Sequence, residues 1–405
     1  LKFAFLIFKY FPYGGMQRDM LRTASRLAAA GHEVDIYTMS WDGEPPVAGI
    51  NVHIVPASGW FNFQKYQDFI AGAQRQLAAQ GSHELVVGWN RMTGLDVYFA
   101  ADPCFIERAH QQRNWLYRLT PRYRWFQQVE AAIFAPAAPT EMLMVDMAEK
   151  LVFQRWYQTQ DAKFHHIPPF LSAERLKLQE RSAMRSHLRE AFALPQDRIV
   201  MLLVGSGFYM KGLDRAITSL ASLPASLRQR VTLIAIGQDK PAPFLRMARK
   251  LGVSEQVLIS KGRPDIPQLM QGADLYLHPA YRENTGLVLL EALASGLPVL
   301  ATASCGYAPH ILAADAGRVV PSPFEQAVLN QTLLQMLTLI GNNDAQLKRW
   351  REQGVAYARQ LMEANDGGAE AEILQRLAKR KQTISASKQA SSAKLAGTAK
   401  VSHGL

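Results

Sequence analysis

Short apolar runs alternate with helix-patterned segments through the first part of the chain, break at Pro168-Pro169, and then resume. A strand buried on both faces reads as a continuous apolar run, and a strand–helix–strand rhythm is the signature of βαβ units on a parallel sheet. The first series predicts strands at Lys2–Phe8, Glu33–Met39, Asn51–Pro56, Glu84–Gly88, Asp96–Ala101, Glu141–Val145 and Phe164–Ile167. One helix pattern, Met16–Ala30, stops at Gly31, the residue type best suited to the left-handed conformation that closes a helix. Paired prolines continue neither strand nor helix, so the polar stretch from there to about Arg198 reads as an interdomain connection. The second series predicts strands at Ile199–Val204, Val231–Ile236, Val257–Ser260, Leu275–His278, Pro298–Thr302 and Arg318–Val320. The expected fold class is α/β, with two Rossmann-like, doubly wound parallel-sheet domains spanning residues 1–170 and 171–378, the last helix being expected to cross back to the first domain.

Length agrees with two domains, since 405 residues exceed the roughly 250–300 at which a single hydrophobic core stops growing. Two cysteines, Cys104 and Cys305, are too few for a disulfide framework or a four-ligand zinc site, and they point to a reducing compartment. The opening run Leu1–Phe8 breaks at Lys9 and leads into a glycine turn, so it is expected to be a buried first strand and not a signal sequence. No stretch is long and apolar enough to span a bilayer, which leaves peripheral contact as the expected relation to a membrane. Net charge is +11, and six of the basic residues lie from Lys379 onward, in a Ser-, Ala- and Lys-rich tail without apolar periodicity. Such composition predicts disorder over 379–405.

Three local patterns carry candidate chemistry. Gly14-Gly15 sits between the first strand and its helix, where open α/β sheets bind ligands; a plain structural turn is the competing reading. Gly205-Ser206-Gly207 follows a strand and precedes Lys211, which is placed to meet a phosphate oxygen, although a solvated lysine fits the local pattern too. The spacing is not that of a Walker loop. Finally, His278-Pro279-Ala280-Tyr281-Arg282-Glu283-Asn284-Thr285-Gly286-Leu287 leads from a strand into a helix that carries Glu291 on an apolar stretch. A carboxylate there needs partners: ribose hydroxyls are good ones, and a core Arg or Tyr is the alternative. The N–H groups near Gly286 and Leu287 form an anion site at the positive end of the helix dipole.

Glu283 and Glu291 stand in the E-x7-E pattern, and the chain resembles the retaining glycosyltransferases of glycosyltransferase family 4, which have the GT-B fold. Most of the chain, to about Ala378, is similar to the branch that adds the first hexose, an α-1,3-linked glucose, to inner-core heptose of lipopolysaccharide. The resemblance rests on Lys9–Asp19, Gly94–Asp102, Gly237–Pro241, Leu277–Tyr281 and Cys305–Ala308. It implies two domains facing a central cleft, a UDP-glucose donor, retention of anomeric configuration and a lipopolysaccharide inner-core acceptor. By position, Glu283 would contact donor sugar hydroxyls, Glu291 the ribose and Lys211 the diphosphate, with Arg175 as another donor-binding cation. Gly205, Thr285, Gly286 and Leu287 would line the donor site, Arg263 would border the uracil, and Gly14 and Gly15 would approach from the other domain. Asp19 and Asp102 match acidic positions near the acceptor, with Asp102 expected to orient the heptose hydroxyl. Ser206 departs from the family's arginine, and Met210 from a second basic residue. No cofactor and no metal are expected. A UDP-hexosamine such as UDP-N-acetylgalactosamine is an alternative donor, and a non-catalytic nucleotide-sugar scaffold a further alternative.

Between residues 105 and 134, Arg108, Arg113, Arg118, Arg122 and Arg124 are interleaved with aromatics including Trp115 and Trp125. Basic residues attract anionic headgroups and aromatic rings settle at the interface, so docking to an anionic membrane surface is expected, with an amphipathic core helix as the alternative. Pro121 divides the segment into two helices. No nucleic-acid motif accompanies it, and nucleic acid is not an expected partner. The expected location is cytoplasmic, peripheral to the inner face of the inner membrane.

Overall fold

The computed structural model describes residues 1–12, 14–44, 47–342 and 344–401, with side chains as far as residue 387; Tyr13 and residues 402–405 lie outside the described residues. The chain divides into two compact units, one formed by Leu1–Pro168 together with the segment from Gly368 onward, the other by Pro169–Gly367.

In the first unit, strands β1 (Lys2–Ile7), β2 (Glu33–Thr38), β3 (Ile50–Ile54), β4 (Leu85–Gly88), β5 (Val97–Ala100), β6 (Glu141–Met144) and β7 (Phe164–His166) form one sheet in the order β3-β2-β1-β4-β5-β6-β7, every pair parallel. Alternation along β1 shows how the sheet is covered. Phe3, Phe5 and Ile7 enter one core, with Met20 and Leu27 of the helix Gly15–Ala29, whereas Ala4 and Leu6 enter another with Phe69, Tyr98 and Phe134. Both faces being covered, the strands read as apolar runs.

The second unit has β8 (Ile199–Val204), β9 (Val231–Ile236), β10 (Val257–Ser260), β11 (Leu275–His278), β12 (Val299–Thr302) and β13 (Gly317–Val320), ordered β10-β9-β8-β11-β12-β13, again all parallel. That is the doubly wound order, in which chain direction across the sheet reverses between the first strand and the fourth.

Two sequence expectations are corrected. The polar stretch after Pro169 is not a bare connection but contains the helix Arg181–Ala191, which belongs to the second unit. Arg189 is fully buried there; it meets the Asp274 carboxylate at 2.8 Å and the carbonyls of Gly272 and Arg198 at 2.7 Å each. Asp274 also accepts the Val200 N–H at 2.9 Å, so the buried pair is hydrogen-bonded on both sides, the condition under which burial of charge is tolerated. The second correction is at the tail, where a helix runs over Ala369–Val401 in place of the disorder expected from Lys379. Its first turns bury Ala371, Leu374, Leu377 and Ala378 in the core of the first unit. Lys381 then pairs with Asp96 at 2.6 Å and Arg380 pairs with Glu141. Composition missed this because the anchoring apolar residues precede the polar stretch, whose Ala, Lys and Gln are good helix formers.

Candidate active site

In the second unit the sheet's reversal falls between β8 and β11, and the loops that leave these two strands carry the strongest sequence signals. After β8, the Gly207 N–H donates to Asp239 Oδ2 at 2.6 Å, and Ser206 Oγ accepts from the Gln238 N–H at 3.2 Å. These bonds fix the turn that precedes Lys211. Gly212 then caps the helix Leu213–Ala221 with φ 75°, and a Cβ there would collide with the Pro279 carbonyl oxygen. Only glycine lets the Lys211 backbone pack this closely on the loop after β11.

That loop is held by residues the sequence reading did not single out. Arg215, one helical turn beyond Lys211, donates from Nη1 to the carbonyls of Pro279 (3.2 Å) and Ala280 (3.1 Å). Its guanidinium lies 3.6 Å from the ring centroids of both Tyr281 and Phe324. On the far side, the Glu283 N–H donates to the Ser304 carbonyl (3.1 Å) and the Glu283 carbonyl accepts from the Gly306 N–H (3.0 Å). The Glu283 side chain is thereby aimed at Lys211, with which it forms an ion pair. His278 Nε2 is 3.4 Å from the same Glu283 oxygen. A Cβ at Gly205 would come within 3.3 Å of Lys211 Cε, so the glycine leaves room for the lysine stem.

The next helix, Leu287–Ala294, has Gly286 as its N-cap with φ 81°, so its first residue lies two beyond the expected start near Thr285. Its first N–H groups have no partner within the helix and form an anion-binding end. Glu291 is buried, and Arg175 Nε approaches its Oε1 at 3.7 Å. Arg263 is spent on Asp265, with contacts of 2.8 Å from Nε and 2.7 Å from Nη2.

Electrostatics sort these groups. Burial, and secondarily the Lys211 charge, push the His278 imidazole down to about 3, so the ring is neutral near pH 7 and its Nε2–H donates to Glu283. Burial also lowers Lys211 from the ordinary lysine range. Burial raises the Cys305 thiol to about 11, which leaves it un-ionised and a poor nucleophile. Among the described residues, no group of three or more His, Cys, Asp or Glu side chains is gathered as a set of metal ligands.

In the first unit, Gly14 is the N-cap of the helix that Gly15 begins, and a Cβ at Gly15 would meet nothing within 4 Å. Asp19 is engaged by Arg22 at 2.7 Å, and Arg22 also reaches Glu370 at 2.5 Å. Asp102 is exposed on the loop after β5, and its carboxylate accepts no hydrogen bond among the described residues. Its backbone is fixed: Arg91 Nη2 donates to the Asp102 carbonyl at 3.1 Å and to the Pro103 carbonyl at 2.5 Å. Arg91 in turn pairs with fully buried Glu130 at 2.9 Å. Neither Arg91 nor Glu130 was legible as a site residue, because 39 positions separate them and only the fold joins them.

The segment expected at a membrane forms the helix Phe105–Gln112, a 3₁₀ turn Trp115–Leu119 and the helix Pro121–Phe134, with Pro121 at the start of the last. Trp115, Arg108, Arg113, Arg122 and Arg124 are exposed and Arg118 is half-buried. Trp125 is a correction: it is buried, 9% exposed, among Phe126, Phe63 and Tyr66 and belongs to the core of the first unit.

Two family models match in tandem, Glycosyltransferase Family 4 over residues 13–175 and Glycosyl transferases group 1 over 184–355. The chain is 44% identical over 335 residues to the lipopolysaccharide glucosyltransferase WaaG of Escherichia coli K12, an alignment covering 83% of this chain and 89% of that protein. It superposes with TM-score 0.83 on the crystal structure of WaaG, a glycosyltransferase involved in lipopolysaccharide biosynthesis, at 41% identity over 91% of this chain and 98% of the other. Sucrose-phosphate synthase of Thermosynechococcus elongatus shares the fold at 18% identity, with TM-score 0.73 over 95% of this chain and 99% of that one. With two parallel-sheet α/β units and a glycine–lysine–glutamate site at the switch point of the second, this chain belongs to glycosyltransferase family 4, has the GT-B fold and is a hexosyltransferase.

Proposed function

We propose that this enzyme transfers glucose from UDP-glucose to inner-core heptose of lipopolysaccharide, forming an α-1,3 linkage with retention and without a metal ion. The observation that carries the reading is the Gly205–Lys211–Glu283–Glu291 constellation in a chain 44% identical to a lipopolysaccharide glucosyltransferase. As the anomeric bond breaks, negative charge grows on the departing diphosphate, and preorganised donors stabilise it most effectively. Lys211, Arg175 and the N–H groups that open the helix Leu287–Ala294 supply that charge and those donors. When phosphate oxygens take over Lys211, Glu283 is released to accept hydroxyl hydrogens of the donor sugar. Glu291 accepts from the ribose, Gly14 and Gly15 let a ligand approach the backbone, and Asp102 orients the attacking hydroxyl.

Membrane docking belongs to the same proposal. The 3₁₀ turn exposes Trp115 (67%), Leu116 (52%) and Leu119 (56%) beside Arg118 and Arg124, a pairing of apolar and cationic surface that suits an anionic interface. Among the described residues no helix is long and apolar enough to cross a bilayer.

The test is transfer to truncated, heptose-terminated lipopolysaccharide from a panel of UDP-glucose, UDP-N-acetylglucosamine and UDP-N-acetylgalactosamine, with and without EDTA. UDP-glucose is expected to be the preferred donor, EDTA to have no effect, and NMR of the product to show an α-1,3-linked glucose. Preference for a hexosamine, or loss of activity with the chelator, overturns the corresponding part of the proposal.

A further inference from the structure

The arginines of the 105–134 segment do not all face the same way. Arg108, Arg113 and Arg122 line a cavity of about 250 Å³ whose wall also includes Arg91, Asp102 and Tyr117. The cavity lies next to the loop that leaves β5 at its carboxyl end, the side on which open α/β sheets hold ligands.

Its wall is built rather than draped. Glu130, with no exposure at all, accepts the N–H groups of Phe105 (2.7 Å) and Ile106 (3.1 Å), the Tyr157 hydroxyl (2.8 Å) and the Arg91 guanidinium (2.9 Å). Arg91 passes that rigidity on to the Asp102 and Pro103 carbonyls. The Arg91 charge is therefore answered inside the wall. Arg113 and Arg122 are held differently, over the faces of Tyr117 (5.5 Å) and Phe126 (5.6 Å), and among the described residues neither meets a carboxylate. Stacking orients a guanidinium without neutralising it. The cavity thus presents unneutralised, planar cationic forks, the geometry that binds carboxylate or phosphate through paired hydrogen bonds. Its volume falls just below the roughly 300–1,000 Å³ typical of pockets for drug-sized ligands, which suits one charged group on one sugar ring and not a whole oligosaccharide.

We propose that this cavity is an anion subsite for the acceptor, holding a carboxylate or phosphate borne by the acceptor saccharide while Asp102 meets the hydroxyl to be glycosylated. The inference rests on the proposed function for the identity of the acceptor. It divides the 105–134 segment: the exposed tip around Trp115 is left for lipid, and Arg113 and Arg122 read the glycan.

Two measurements test it, both with the full chain. With UDP saturating the donor site, ligand-observed NMR of glucuronate, glucose 6-phosphate and neutral glucose is expected to show binding of the charged sugars only, and loss of that binding in R113Q/R122Q. Equal binding of neutral glucose, or unchanged binding in the variant, overturns the subsite whatever the enzyme's natural acceptor is. The second measurement is acceptor KM in neutral detergent without anionic lipid. R113Q/R122Q is expected to raise it at least tenfold with donor KM unchanged, and the same rise is expected in the parent enzyme when the acceptor is carboxyl-reduced or dephosphorylated, whichever group is read. If the variant instead loses binding to anionic vesicles while acceptor KM stays constant, the arginines read headgroups and the proposal fails. Failure of the parent enzyme to glycosylate any lipopolysaccharide would strike the proposed function and leave the NMR result to decide the subsite. Both arginines are exposed, so the substitutions leave the core intact.

Discussion

Glu283 is held from four directions: its N–H by Ser304, its carbonyl by Gly306, and its carboxylate by Lys211 and His278. Because the backbone bonds hold the loop, Glu283→Gln removes the charge without removing the fold. Transfer is expected to fall by about 100-fold, the scale seen when one preorganised polar contact is lost, while a thermal melt stays cooperative. Unchanged turnover would take Glu283 out of the site. His278 makes a separate prediction. Its pKa is about 3 in the folded chain against 6.5 for a free histidine, so between those values the unfolded chain binds a proton that the folded chain refuses. The neutral ring's contribution is complete above pH 6.5 and is lost as pH falls, at about 1.4 kcal/mol per pH unit. His278→Gln, which keeps a donor near Glu283, is expected to flatten the fall in stability between pH 6.5 and 4 in urea titrations. An unaltered slope would assign the pH dependence to other groups.

At the scale of elements, the functional signals lie where strands hand over to helices. The N-cap glycines Gly212 and Gly286, both with positive φ, set the approach of the two helices to the loops after β8 and β11. The 3₁₀ turn Trp115–Leu119 works differently, since it exposes apolar side chains that a packed helix would bury. Replacing Trp115, Leu116 and Leu119 together by Ser is expected to weaken flotation with anionic vesicles at least tenfold while turnover on detergent-dispersed acceptor is retained. Parallel loss of both would mean that the turn serves catalysis and not docking. Trp125, ten residues on, belongs to the core, so its replacement should affect folding first.

At the scale of the whole molecule, the chain leaves its first unit at Pro168 and supplies that unit's core again from Gly368 onward. Leu374 is fully buried beside Phe3, Phe5 and Leu377. Truncating a buried leucine to alanine costs about 2–5 kcal/mol through lost burial and the cavity left behind. Leu374→Ala is therefore expected to lower one of two calorimetric transitions, that of the first unit, and to leave the transition of Pro169–Gly367 in place. A shift of the second transition instead would place this helix in the wrong core.

Among the described residues the strands were legible to within a residue or two, most directly the central ones, because a strand covered on both faces must be apolar along its length, and that pattern is local. Glu283, Glu291, Lys211 and the glycines around them were legible for the same reason, each being next to a strand end. What the sequence left open was settled by contacts far apart in the chain. Arg91 meets Glu130, Arg189 meets Asp274, and the last helix packs against the helix Gly15–Ala29, pairings that depend on which elements become neighbours. Trp125 and Trp115 lie in the same basic-aromatic composition, yet one is core and the other surface, since composition does not specify which side of a turn faces inward. Local pattern determined the elements and the chemistry at their ends; burial and long-range partnering, which exist only once the sheets are assembled, decided which charges are spent on structure and which remain for ligands.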